Sequence, residues 1–155
     1  MVPGNFHTGW RGQGPSEVGQ DVRIFELVGE EATLRLEGEP PVRSMAHPGW
    51  DYRAELQGHS MHVSLVVGDD DPASFVDFFE SLAEDSEGWS ETRGYESFDG
   101  TLRIAATHDR QHTVRFEVRL RADARSGFDW SATHRLSLEA ASLEKVAAAA
   151  RVFTA

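Results

Sequence analysis

At 155 residues the chain is long enough for one domain with a real core, whereas two domains would each be small and marginal. A net charge of −11 disfavours nucleic acid, whose phosphates demand a cationic surface, and is compatible with a basic protein partner. The absence of cysteine excludes disulfides, thiolate zinc sites and cysteine nucleophiles together.

Residues 1–19 carry Pro3, Gly4, Gly9, Gly12, Gly14, Pro15 and Gly19 and few aliphatic side chains, which predicts a flexible arm ahead of a single domain over residues 20–155. The opening Met1–His7 lacks the basic and apolar regions of a secretion signal, and no stretch reaches the roughly 18–20 apolar residues of a membrane span. The expectation is a cytoplasmic protein without membrane contact. Strands are expected over Asp21–Val28 and Ala32–Glu37 around the short loop Gly29-Glu30-Glu31. Gly38–Gly49, with three prolines, reads as a loop. Trp50–Leu56 and Met61–Val67 alternate apolar and polar residues, the mark of strands with one buried face.

The period then changes. Asp71 suits a helix N-cap and Pro72 its first turn, and Phe75, Phe78, Phe79 and Leu82 form one apolar stripe that Gly88 is expected to end. Strand signals return at Tyr95–Phe98, with Asp99-Gly100 as a hairpin signal, and at Leu102–Ala106. Val114–Leu120 is the cleanest alternation in the chain, and Trp130–Leu138 is the last strand. Ser142 is expected to cap a closing helix with Leu143, Val146, Ala147 and Ala150 inward. The fold class that follows is α+β: an antiparallel sheet of about seven to eight strands against two amphipathic helices. Strand and helix recur with the same apolar spacing in each half, so two similar β-rich halves are expected.

Seven histidines raise the question of a metal. His108 and His112 flank a turn, but no third convergent ligand accompanies them, so no metal and no cofactor are expected, and the pair reads as exposed hairpin polar residues. Asp69-Asp70-Asp71 precedes a helix N-terminus, where carboxylates are favoured by the helix dipole. With Glu80, Glu84, Asp85 and Glu87 the triplet forms an acidic run around the first helix, suited to attracting a basic partner, with Asp69, Asp70, Asp71, Glu84, Asp85 and Glu87 as the expected contact residues. Alternation puts His134 on an apolar face, as a satisfied core histidine or as a pocket residue with Trp50, Tyr52 and Trp130. There is no phosphate-binding loop, nucleophile elbow or His-Glu-x-x-His.

Gly88-Trp89, Tyr95–Leu102, Ala106–Asp109, Trp130 and Leu136–Ala140 together resemble a family of small actinobacterial proteins of unknown function, over about the C-terminal two-thirds of the chain. An arginine-for-lysine bias, with Lys145 the only lysine, agrees with a GC-rich genome. More distantly, the succession of paired strands, helix, hairpin, long strands and closing helix is similar to the WapI-type immunity family, whose members bind and neutralise a toxin domain. That resemblance implies a non-catalytic binding protein facing a basic toxin domain. The alternatives are a small-molecule binder or enzyme with a pocket between sheet and helices, and a structural subunit of a larger assembly.

Overall fold

The alternating segments become strands because burying every second side chain against one core satisfies a pleated backbone, and the switch to a 3.6-residue period becomes helix. The computed structural model describes residues 21–41, 49–122 and 129–155. The strands are β1 (Arg23–Val28), β2 (Ala32–Gly38), β3 (Trp50–Gly58), β4 (His62–Asp69), β5 (Arg93–Glu96), β6 (Leu102–His108), β7 (Thr113–Arg121) and β8 (Ser131–Glu139). The helices are α1 (Pro72–Glu84) and α2 (Leu143–Thr154). The first four strands form one antiparallel meander and the last four another, each followed by a helix. The expected α+β class with two similar halves is therefore the observed architecture. The arm read over residues 1–19 lies outside the described residues, as do most of the loops before β3 and β8.

The two halves share one core. α1 and α2 pack on each other, α2 also against β1 and α1 against β5. The stripe Phe75, Phe78, Phe79 and Leu82 is buried as the spacing demands. Phe75 meets Phe25 of β1 edge-on at 5.3 Å and Tyr95 of β5 at 5.3 Å, so a single helix ring touches both sheets. Phe79 lies 6.4 Å from Phe116 of β7. Phe153 of α2 closes the cluster beside Phe25 and Trp50.

Local chemistry sets the element ends. Asp71 accepts from Ser74 N at 3.2 Å, the expected N-cap. α1 stops at Glu84, before Gly88, because Arg93 of β5 donates to Ser81 O at 3.0 Å and to the Asp85 carboxylate at 2.7 Å, tying off the helix C-terminus. Ser142 does not cap α2 with its side chain. Its hydroxyl donates back to Glu139 O at 2.7 Å, and a 3-10 turn over Ala140–Ser142 bends β8 directly into the helix. The β5–β6 connection is also wider than a two-residue turn: Ser97 N donates to Leu102 O, and Gly100, at φ 78°, makes the reversal inside that bridge.

The β1–β2 loop has a second job. β8 is an edge strand, and at Ser137 its unpaired backbone groups face that loop. Glu30 N donates to Ser137 O at 3.1 Å, while Ser137 N and its hydroxyl donate to the two Glu31 carboxylate oxygens at 2.6 and 2.9 Å. One loop therefore joins the halves and covers part of an exposed edge.

Candidate functional site

The six carboxylates expected at a partner surface divide into two groups. Asp69, Asp70 and Asp71 stand at the N-terminal end of α1, and Glu84, Asp85 and Glu87 at the other end, a helix length of about 20 Å away at the α-helical rise. Asp69 is not a surface group. It is buried, and its carboxylate accepts from the Tyr95 hydroxyl, from Phe98 N at 3.2 Å and from Asp70 N at 2.9 Å. Burial raises its carboxyl above the ordinary range, against the lowering effect of the backbone donors. The reason lies in β4: alternation from Val63, Leu65 and Val67 carries Asp69 onto the inner face. Asp70 and Asp71 are exposed, and Asp85 is paired with Arg93.

Glu84 belongs to a groove between the helices. Glu80, Glu84 and Glu144 line it with Ala83, Ala147 and Arg151, around a cleft of about 190 Å³. The alanines keep its floor low, and Arg151 reaches Glu80 at 2.7 Å, leaving Glu84 and Glu144 without an ion pair among the described residues. Glu80 belongs to the expected acidic run, four residues from Glu84 on one helix face, whereas Glu144 does not: only helix–helix packing brings it to them.

The four aromatic and histidine residues expected to line a pocket are not gathered. Trp50 and Tyr52 are buried side by side, with ring centroids 4.7 Å apart and both against Phe153. Among the described residues neither Trp50 Nε1 nor the Tyr52 hydroxyl has a hydrogen-bond partner. Burial, then the nearby Asp69 and Asp99 carboxylates, push the Tyr52 phenol well above its usual range. Trp130, expected in the last strand, lies just before β8 and is 37% exposed. His134 is half-buried, its Nε2 standing 2.5 Å from where a Cβ at Gly58 would be, and its Nδ1 faces the Arg135 carbonyl at 2.8 Å. It spans the two sheets as a packing residue.

His108 departs from the expectation of an exposed hairpin residue. Its side chain is buried on Trp89 at 5.0 Å. Its Nδ1 accepts from Arg110 N at 2.7 Å, so Nε2 carries the proton donated to Ser86 O at 2.7 Å. Both nitrogens are thus committed, Nε2 to the segment after α1 and Nδ1 to the β6–β7 turn. Among the described residues no three metal-ligating side chains converge. A cleft of about 330 Å³ beside the β1–β2 loop is lined by Val28, Gly29, Glu30, Thr113, Ser137, Leu138 and Glu139, and its Ser137 hydroxyl is taken up in the Glu31 contact that joins the halves.

A family model described as a family of unknown function (DUF6228) matches residues 27–155. No curated protein and no solved structure matches the chain.

Proposed function

The chain belongs to the DUF6228 family, and because that membership assigns no chemistry we propose, from the surface, that it is a non-catalytic domain that binds a basic protein. The observation that carries this reading is the carboxylate groove between α1 and α2, where three glutamates border a shallow floor of alanines beside a single arginine. Such a groove suits an inserted lysine or arginine: the carboxylates meet the charge, and the small residues admit its aliphatic stem. An immunity protein against a basic toxin domain, in an actinobacterial cytoplasm, is the specific case we favour, in line with the distant WapI-type likeness of the element order. The test begins with affinity capture from the native host and identification of the partner. Association kinetics are then measured for the wild type and for Glu84→Lys/Glu144→Lys at two salt concentrations. Electrostatic steering predicts an on-rate that falls with salt and drops about tenfold in the variant. Equal on-rates in all four conditions would remove the groove from the mechanism.

A second reading, a small-molecule binder, is favoured by Trp50 Nε1 and the Tyr52 hydroxyl beside Asp69, two buried groups that have no hydrogen-bond partner among the described residues and suit an acceptor-bearing ligand. Under that reading a ligand that raises the melting temperature of the wild type loses its effect in Trp50→Phe/Tyr52→Phe, while the groove variant responds normally.

A further inference from the structure

We propose that the tip of the β5–β6 hairpin is a self-association surface whose partner is a second copy of this chain. Phe98 stands at that tip with 76% of its surface exposed. It is not a loose loop residue. Its own N–H is held by Asp69, Asp99 N donates to Gly68 O at 3.2 Å, and the Asp99 carboxylate accepts from Gly68 N at 2.8 Å, Ser97 Oγ at 2.9 Å and Thr101 N at 3.0 Å. A large aromatic side chain on a backbone fixed this firmly is a preorganised anchor, the kind of residue that carries most of an interface's energy.

The charges around the anchor are of both signs and are segregated. At the end of β4, the carboxylates of Asp51 from β3 and Asp99 from the hairpin flank Gly68, lying 3.5 and 3.1 Å from where its Cβ would be, and Asp70, two residues after Gly68, is exposed. On the other sheet, β6 and β7 place Arg103 directly opposite Arg119, with Arg121 two residues further along the same face. Glu96 stands opposite Arg103 in register and 3.8 Å from Arg119, the one carboxylate in an ion pair with this trio among the described residues. One carboxylate does not match three guanidinium groups, so the face keeps an excess of positive charge that carboxylates from outside would meet.

These facts select the occupant. A uniformly basic partner would meet the aspartates and be repelled by the arginines, and a uniformly acidic one would suffer the reverse. A two-fold interface brings patch i onto patch j and j onto i. An aromatic centre with carboxylates on one flank and guanidinium groups on the other is then its own complement. The net charge of −11 opposes approach at long range, but at about 0.15 M salt the Debye length is about 8 Å, so whole-molecule repulsion is screened while contact pairs persist. This surface is separate from the groove between the helices, and its test is independent of that reading.

The experiment is sedimentation velocity on the full chain over a concentration series at about 0.15 M and about 0.5 M salt. The expected result is a concentration-dependent dimer that weakens in high salt. Two charge-reversed variants, Arg103→Glu/Arg121→Glu and Asp51→Arg/Asp70→Arg, alter side chains that make no hydrogen bond among the described residues, so folding is retained. Each variant alone should dimerise at least about tenfold more weakly, and a mixture of the two should recover a heterodimer, since the signs are then complementary again. Phe98→Ser should weaken the dimer with an unchanged melting temperature. A wild type that is monomeric at every concentration, or a mixture that does not associate, overturns the proposal. So does wild-type binding of a single-stranded oligonucleotide that the arginine variant loses, which would assign the arginines to a polyanion.

Discussion

Asp69 shows how one residue's burial changes what it does. Its triplet context suggests solvent and charge, yet its carboxylate joins β4 to the β5–β6 hairpin by accepting from Tyr95 and Phe98. Removing it in Asp69→Ala leaves buried donors without an acceptor, at about 1–3 kcal/mol for each unsatisfied group, so chemical denaturation should report a loss of about 3 kcal/mol. Asp69→Asn keeps an acceptor oxygen and removes the charge. Because burial raises this carboxyl, the folded chain holds the proton more tightly than the unfolded one. Wild-type stability therefore falls as pH rises from the ordinary carboxyl value through the raised one. The variant lacks that dependence, so its melting temperature relative to wild type should be higher at about pH 7 than at about pH 3. An identical difference at both pH values would show that the carboxyl is unperturbed.

Between elements, the informative contact is the β1–β2 loop on β8. A Cβ at Gly29 would stand 2.7 Å from Leu136 Cβ and 2.8 Å from Ser137 N, and both are held within a paired strand that cannot give way easily. Gly29→Ala should cost about 2 kcal/mol, as overpacking does, and should speed amide exchange at Ser137. Unchanged protection of that amide would mean that the loop does not hold the edge. Alternation in the sequence marks the loop and both flanking strands. The pairing of Glu31 with Ser137 leaves no such mark, because the two are 106 residues apart and nothing local in either segment calls for the other. The Glu31 carboxyl bears the mark of the contact: desolvation, the largest single influence, raises it, but the Ser137 hydroxyl and backbone N–H together bring it below its ordinary value.

For the molecule as a whole, two meanders and two helices meet in one hydrophobic cluster, with Phe75 touching both sheets. Each half alone would leave its helix stripe partly uncovered, so the halves should unfold together. Calorimetry is expected to give a single transition with equal calorimetric and van't Hoff enthalpies. Two resolved transitions would show that the repeated β-meander and helix are independent units. Charge is distributed on the same scale. The outward face of β5–β8 gathers five arginines, Arg103, Arg115, Arg119, Arg121 and Arg135, in a chain whose overall balance is strongly negative. The helix layer presents the carboxylates of Asp77, Glu84, Asp85, Glu87 and Glu144.

The sequence by itself determined the eight strands, the two helices, the repeat of meander and helix, and the apolar face that each of these elements turns inward. Those properties rest on local periodicity, which a pleated strand or a helix turns into a buried face whatever lies across from it. It also determined that thiol chemistry is absent. Tertiary structure alone decided what each face meets. It took Asp69 and His108 out of solvent, packed Trp50 and Tyr52 against Phe153, and separated one acidic run into a helix groove and a hairpin flank. It also assembled arginines from three strands onto one face. The physical reason is that alternation specifies a side but not its opposite number, and that net charge is a sum over the chain from which position has been removed.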